Sequence, residues 1–133
     1  MTTSFEYEKR EFIRIPVAVP VRYKFLSKEF DSPELEVIHE GISQNIGAGG
    51  LLLRAKLIDT DWLAKLLTRR MYIGTNLLLP NSERPVKALC RVIWASAVEG
   101  ATGQVTMGLE FQEITSKDQD LITQFIIKAQ MPH

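Results

Sequence analysis

A strict alternation of apolar residues near the N-terminus constrains the fold of this chain most. The apolar residues occupy every second position and are Val17, Val19, Val21, Tyr23 and Phe25. Because successive side chains of a strand point to opposite faces, this period predicts a β-strand with one buried face. The chain therefore contains at least one half-buried strand, and further strand signals follow it.

Five further segments carry strand signals and are separated by turn sequences. Three glycines within residues 45–50 indicate a tight turn that leads into a buried strand. The predicted strands lie around 35–42, at 51–53, and over 74–79, 85–94 and 104–111. With the first strand they make about six, and this number of short antiparallel strands indicates a small barrel or a sandwich. The patterns alone do not choose between these two architectures.

A short helix is predicted as an insertion between these strands, near residues 60–70. Apolar residues follow helical spacing within this segment, and Thr60 or Asp59 suits the N-cap. Arg69 and Arg70 suit the C-terminal end, where the helix dipole favours positive charge.

The C-terminal segment predicts an amphipathic helix over residues 116–130. Ser116 and Gln119 have the spacing of a capping box, in which the serine caps one exposed amide and the glutamine reaches back to another. The apolar residues of one stripe are Leu121, Ile122, Phe125, Ile126 and Ala129. We expect this stripe to pack on the sheet of the same chain, because amphipathic terminal helices usually dock on their own domain.

Residues 1–14 differ from the rest of the chain and predict a flexible N-terminal arm. They are polar and charged without a sustained period, and Pro16 disfavours helix at the residue before it. The chain has 133 residues, which corresponds to one domain at roughly 100–200 residues per domain. We therefore expect a single domain over residues 15–133, preceded by the arm.

The overall charge argues against one class of function. Sixteen lysines and arginines balance sixteen aspartates and glutamates, so the net charge is zero. A protein held on nucleic acid or on a membrane surface by its overall field needs a net positive charge. Any anion site is therefore local, and we expect no nucleic-acid binding. The longest apolar runs are far below the roughly 18 residues of a membrane span, so we expect no membrane insertion.

Residues for catalysis or metal binding are scarce. The two histidines are His39 and His133, and the single cysteine, Cys90, lies inside a predicted strand, so no catalytic pair is evident. A lone cysteine forms no intramolecular disulfide, and no grouping has metal-ligand spacing. The N-terminus lacks the apolar core of a signal peptide. We expect a cytoplasmic protein that is not an enzyme and that uses neither a metal nor a cofactor.

Two arginines and a glycine turn form the one unusual constellation of the sequence. Arg10 and Arg14 stand four residues apart, and residues 9–28 contain six basic residues and one acidic residue. An arginine presents a fork of donors that binds a phosphate, or the O6/N7 edge of guanine, through two parallel hydrogen bonds. The turn after Asn45 allows close backbone approach to a ligand. Together these features predict a local site for a bulky anion.

Two motifs stand in a characteristic order within this constellation. Arg10 and Arg14 form RxxxR, and residues 45–50 stand at the position of a later [D/N]xSxxG motif. In this order the motifs resemble the PilZ family, bacterial domains that bind the second messenger cyclic di-GMP. The resemblance extends from about Lys9 to about Ala129 and includes residues 49–53, 88–94 and 107–111. It implies a mostly β fold, a six-stranded antiparallel barrel with a C-terminal helix, and a nucleotide clasped on the outer barrel surface by the arginine arm.

The resemblance also implies a role for individual residues. Arg10 and Arg14 would grip guanine edges and phosphates. Asn45 would hydrogen-bond a guanine, and Gly50 would permit close backbone approach. Lys9, just before RxxxR, occupies a position that influences whether one nucleotide or a stacked pair is bound.

Three further features bear on the resemblance. Trp94 matches a position at which some members place an aromatic residue near the ligand; alternatively, it packs in or beside the core. Gly47 stands where the family usually has serine, so one hydroxyl contact is missing, at a cost of about 0.5–1.5 kcal/mol, or roughly 2- to 13-fold in affinity. The insert at 59–70 is longer than a minimal member needs, and it is either a partner surface or an embellishment.

Two functions follow from the resemblance. The first is a cyclic di-GMP receptor and adaptor, in which the nucleotide orders the arm and alters a surface for an unidentified protein partner. The alternative is a degenerate member that works without nucleotide, for example in motility or surface-attachment machinery. Retention of both arginines favours the receptor, and Gly47 favours the alternative. A binder of RNA or single-stranded DNA would need a basic face with exposed aromatic residues, which this composition does not favour.

Overall fold

The computed structural model describes residues 13–56 and 60–131, and these residues form seven strands, two α-helices and one 3₁₀ helix. The strands are β1 (Arg14–Ile15), β2 (Pro20–Ser27), β3 (His39–Gly47), β4 (Gly50–Lys56), β5 (Met71–Leu77), β6 (Val86–Ala97) and β7 (Gln104–Ile114). The α-helices are α1 (Asp61–Leu67) and α2 (Ser116–Gln130), and the 3₁₀ helix is Pro33–Glu36. The fold is mostly β, as the sequence predicts.

The strands of the described residues form one antiparallel sheet that closes on itself. Their order is β1-β3-β2-β5-β6-β7-β4, and β4 also pairs with β3. Strands β2 to β7 therefore form a closed six-stranded barrel, and the short β1 extends the sheet along β3. The predicted six-stranded barrel is confirmed, and the closure decides against a sandwich.

The alternating residues at the start of the barrel face its interior. The buried residues are Val19, Val21, Tyr23 and Phe25. Strand β2 begins at Pro20 rather than at the predicted Val17, because the Ser43 side chain bonds backbone groups there and one backbone bond, from the amide of Ser43 to the carbonyl of Val19, remains. The buried Ser43 hydroxyl accepts a hydrogen bond from the amide of Val19 at 2.8 Å and donates to the carbonyl of Val17 at 2.7 Å.

The second barrel strand lies later in the sequence than predicted. Residues 33–36 form the 3₁₀ helix, because the Ser32 side chain caps the amide of Glu34 at 3.3 Å and a proline follows the cap. Strand β3 therefore starts at His39 and continues through the first half of the predicted glycine turn. Only residues 48–49 separate it from β4.

Helix α1 lies where the sequence predicts it. Thr60 occupies the N-cap position but makes no side-chain capping hydrogen bond, and Asp59 lies outside the described residues. Trp62 is buried and meets the ring of Phe25 with the centroids 5.2 Å apart. The insert therefore contributes to the core of the barrel.

Helix α2 has the predicted bounds but a different cap. Thr115, not Ser116, is the N-cap, and its hydroxyl accepts a hydrogen bond from the amide of Asp118 at 3.1 Å. The predicted capping box is wrong by one residue, because Thr115 has the extended backbone of a cap whereas Ser116 is already helical. Gln119 does not reach back to the cap; its side chain donates to the carbonyl of Ala48 at 2.9 Å.

Most of the apolar stripe of α2 packs on the barrel: Ile122 and Ile126 are buried, Leu121 and Phe125 are partly buried, and Ala129 is exposed. The side chain of Asp118, only 5% exposed, holds the first turn against the sheet. It accepts a hydrogen bond from the amide of Lys87 at 3.1 Å and pairs with Arg84 at 2.6 Å. No helix within the described ranges has both the length and the apolar character that crossing a membrane requires.

Candidate functional site

Strand register places two of the predicted ligand-binding glycines beside an arginine. Residues directly opposite one another across four strand pairs form the row Arg14, Gly47, Gly50, Glu110 and Arg91. Their chain neighbours Ile46, Leu51 and Leu109 are buried. Since successive side chains alternate between faces, this row lies on the outer surface of the barrel. Arg14, the predicted end of the arm, is the first residue of β1.

A second row lies beside the first on the same surface. It consists of Asn45, Leu52, Gly108 and Trp94, which oppose one another across β3, β4, β7 and β6. A register shift between Val92 and Trp94 brings the indole onto this surface. We call the surface formed by the two rows the glycine face.

Neighbouring atoms fill the space that a side chain would take at the glycines of this face. A Cβ on Gly47 would lie 2.7 Å from Cγ of Arg14 and 2.9 Å from the carbonyl oxygen of Ile13. A Cβ on Gly50 would overlap the carbonyl oxygen of Leu109 and lie 3.2 Å from Nη2 of Arg14. The two glycines therefore let the Arg14 side chain lie flat across β3 and β4.

Trp94 lies on the outside of the barrel rather than in the core. Its side chain covers Gly108, where an added Cβ would overlap the indole nitrogen and lie 2.7 Å from Cδ1. The residue is nevertheless 43% exposed. An indole that is fixed on one side and open on the other offers a stacking surface for a flat ring.

The polar groups of the face are available for a ligand. Within residues 13–56 and 60–131, the Arg14 side chain makes no hydrogen bond or ion pair. The Asn45 side-chain oxygen accepts a hydrogen bond from the amide of Leu52 at 3.2 Å. This bond orients the Asn45 amide, so that its NH₂ group remains to donate.

Of the seven residues predicted for the site, the structure brings five together on the glycine face: Arg14, Asn45, Gly47, Gly50 and Trp94. Lys9 and Arg10 lie outside the described residues. The sequence reasoning missed Gly108, Glu110 and Arg91, because only the strand register shows which positions of β6 and β7 oppose the turn.

The glycine turn is also connected to the rest of the fold. The carbonyl of Gly49 accepts a hydrogen bond from the amide of Phe111 at 2.9 Å, and the carbonyl of Ala48 accepts from the side chain of Gln119 at 2.9 Å. The turn is therefore hydrogen-bonded to both β7 and α2.

The residues considered for other chemistry lie elsewhere. Burial raises the pKa of the Cys90 thiol to about 12, so this side chain is a neutral thiol at pH 7. His39 stacks on Tyr23 with the ring centroids 5.2 Å apart, and burial lowers the pKa of its imidazole. In the part of the chain that the structure describes, no three His, Cys, Asp or Glu side chains form a metal site.

The chain belongs to the PilZ domain family, whose sequence model matches residues 8–128. PilZ domains are binding and adaptor domains rather than enzymes. No curated protein matches this sequence.

Three solved structures share the fold. The inhibitor of motility MotI/DgrA of Bacillus subtilis is 20% identical with a TM-score of 0.65, over 91% of this chain and 51% of that one. The PilZ domain of YcgR from Escherichia coli with c-di-GMP is 11% identical with a TM-score of 0.54, over 91% and 90%. The PlzA protein of Borreliella burgdorferi in complex with c-di-GMP is 14% identical with a TM-score of 0.51, over 98% and 57%. This chain therefore spans about half the length of MotI/DgrA.

Proposed function

We propose that this protein is a receptor and adaptor for cyclic di-GMP, and that the nucleotide binds on the glycine face. The observation that carries the proposal is the Arg14 side chain, which lies across Gly47 and Gly50 and whose guanidinium has no partner among the described residues. Membership of the PilZ family supports the ligand, as do the complexes of YcgR and PlzA with c-di-GMP.

Each group of the face has a task in this proposal. Arg14 donates two parallel hydrogen bonds to a phosphate or to the O6/N7 edge of a guanine, and Arg10 does the same from the arm. The NH₂ group of Asn45 donates to a guanine carbonyl, and a base stacks on the open side of Trp94. Because Gly50 has no side chain, the ligand approaches the backbone closely there. Lys9 determines whether one nucleotide or a stacked pair binds.

The turn provides a route from the ligand to a partner surface. Nucleotide bound beside Gly47 and Gly50 changes the position of residues 48–49, and the hydrogen bond from Gln119 passes this change to α2. Binding also orders the residues before Arg14 against the barrel. The surface of α2 is then offered to, or withdrawn from, a protein partner.

The alternative is an interaction protein of the same fold that works without nucleotide. Gly47 favours it, because the serine hydroxyl of the family motif is absent. The similarity of fold to MotI/DgrA, an inhibitor of motility, agrees with a role of this kind in motility machinery.

Calorimetric titration of cyclic di-GMP into the purified protein distinguishes the two functions. The receptor binds cyclic di-GMP with a micromolar or lower Kd and does not bind GTP comparably. Arg14→Ala weakens binding by about 10- to 150-fold, the equivalent of a charged hydrogen bond. Arg22→Ala is the matched control, since Arg22 is an outward arginine on β2. Absence of heat with the wild-type protein would contradict the receptor and favour the nucleotide-independent role.

A further inference from the structure

Arg91 is an arginine of the glycine face to which neither sequence motif assigns a role. It lies on β6 directly opposite Glu110, which is itself directly opposite Gly50. Its side chain is 22% exposed and runs along the outer surface. The Arg14 guanidinium lies over Gly50, so the two arginines approach Glu110 from opposite sides. Two strand spacings, or about 10 Å, separate Gly50 from Arg91.

The guanidinium of Arg91 is held only loosely in the free protein. Its Nε lies 3.8 Å from a carboxylate oxygen of Glu110, which is an ion pair without a hydrogen bond. The same Nε is buried and has no hydrogen-bond partner. A buried donor without an acceptor is costly, and a ligand that supplies an acceptor to this guanidinium relieves the cost.

Arg91 also lies beside the exposed indole. Both residues belong to β6. Arg91 faces outward beside the buried Val92, and the register shift between Val92 and Trp94 places the indole on the same surface. A base stacked on the indole would therefore lie in the row of residues next to Arg91. The edge that accepts two parallel hydrogen bonds from arginine is O6/N7 of guanine, whereas adenine presents an amino group in place of O6.

We propose that Arg91 reads the guanine stacked on Trp94, and that Glu110 occupies Arg91 in the free protein as an internal competitor. This inference rests on the proposed function, since it assigns base specificity to the same site. In the complex, Arg91 leaves Glu110 and donates to O6 and N7 of the guanine. Discrimination between guanine and adenine then depends on residues of β6 as well as on the RxxxR arm.

The test compares cyclic di-GMP with cyclic di-AMP by calorimetry. Arg91→Gln is expected to weaken cyclic di-GMP binding by about 5- to 150-fold and to affect cyclic di-AMP much less, so that discrimination decreases. Arg91→Lys retains the charge next to Glu110 but lacks the planar pair of N–H donors. It should therefore discriminate between cyclic di-GMP and cyclic di-AMP as poorly as Arg91→Gln. Glu110→Gln removes the competitor and should tighten cyclic di-GMP binding by about 1.5- to 5-fold.

A matched pair of controls exists on the opposite side of the barrel. Arg22 and Glu40 are also directly opposed strand residues, with Nε and a carboxylate oxygen 4.0 Å apart. Arg22→Gln and Glu40→Gln should leave both affinities unchanged. Circular dichroism and the melting temperature establish that each variant is folded.

The outcomes separate this inference from the proposed function. If the wild-type protein does not bind cyclic di-GMP, the proposed function fails. If the wild type binds and Arg91→Gln keeps its affinity, or loses both nucleotides equally, guanine recognition by Arg91 is overturned. If Glu110→Gln weakens binding, Glu110 contacts the ligand itself and its role as competitor is overturned.

Discussion

The side chain of Gln119, on the first turn of α2, donates a hydrogen bond of 2.9 Å to the carbonyl of Ala48 in the glycine turn. These residues are 71 positions apart in the sequence. The bond joins the glycine turn, between Gly47 and Gly50 of the glycine face, to the C-terminal helix.

Loss of this hydrogen bond should lower the stability of the fold. Gln119→Leu leaves the carbonyl of Ala48 without its donor, so the free energy of unfolding should fall by about 1–3 kcal/mol. Urea denaturation measures this loss. Gln124→Leu is the control on the same helix, and an equal effect in the control would assign the loss to the helix surface rather than to the turn.

Substitution of Gly108 should displace Trp94. In Gly108→Ala the new Cβ would overlap the indole, so the Trp94 side chain must move away from position 108. We expect a shift of the tryptophan emission and a melting temperature several degrees lower, which corresponds to about 1–3 kcal/mol. Gly74→Ala is the matched control, because its Cβ would meet only the flexible end of Leu26 at 3.2 Å. An unchanged emission spectrum in Gly108→Ala would contradict the described position of Trp94.

Replacing Gly47 by the serine that the family usually has at this position should destabilise the free protein. The new Cβ would lie 2.7 Å from Cγ of Arg14 and 2.9 Å from the carbonyl oxygen of Ile13. Strand β1 must therefore move away from β3, and we expect Gly47→Ser to lower the free energy of unfolding by about 1–3 kcal/mol. Gains in stability measured by chemical denaturation would show that β1 does not pack closely on Gly47.

The buried Cys90 makes stability depend on alkaline pH. Burial raises the pKa of its thiol from 9.0 to about 12. Between these values the unfolded chain releases the thiol proton while the folded chain keeps it, so stability falls as the pH rises. At about pH 10.5 this contribution amounts to a loss of about 2 kcal/mol relative to pH 8. Denaturation at both pH values should show a smaller loss for Cys90→Ala, and equal losses would contradict the shifted pKa.

Local patterns predicted most of the barrel, because strand period and turn residues are readable from neighbouring positions. The start of β3 differs from the prediction for a local reason, the 3₁₀ helix capped by Ser32, whereas the start of β2 differs for a tertiary reason. The Ser43 hydroxyl bonds the carbonyl of Val17 and the amide of Val19, and no pattern in the sequence near Val17 reveals this contact. The cap of α2 was displaced by one residue because Thr115 and Ser116 are both good N-cap residues.

The candidate site was predicted in part for a similar reason. The motifs identify Arg14, Asn45, Gly47 and Gly50, and the last three of these lie in the hairpin of β3 and β4. On β6 and β7 the resemblance identifies only Trp94; the other residues of the face there follow from the strand register, which is a property of the whole sheet. Arg91 and Gly108 therefore could not be assigned from the sequence.

The most direct test of the account is a titration of isotope-labelled protein with cyclic di-GMP, followed by amide and indole chemical shifts. We predict that the largest changes fall on Gly47, Gly50 and Gly108 and on the indole of Trp94, while Gly74 on the outer surface of β5 does not change. Changes centred on Gly74, or no changes at a saturating nucleotide concentration, would contradict the assignment of the glycine face as the nucleotide site.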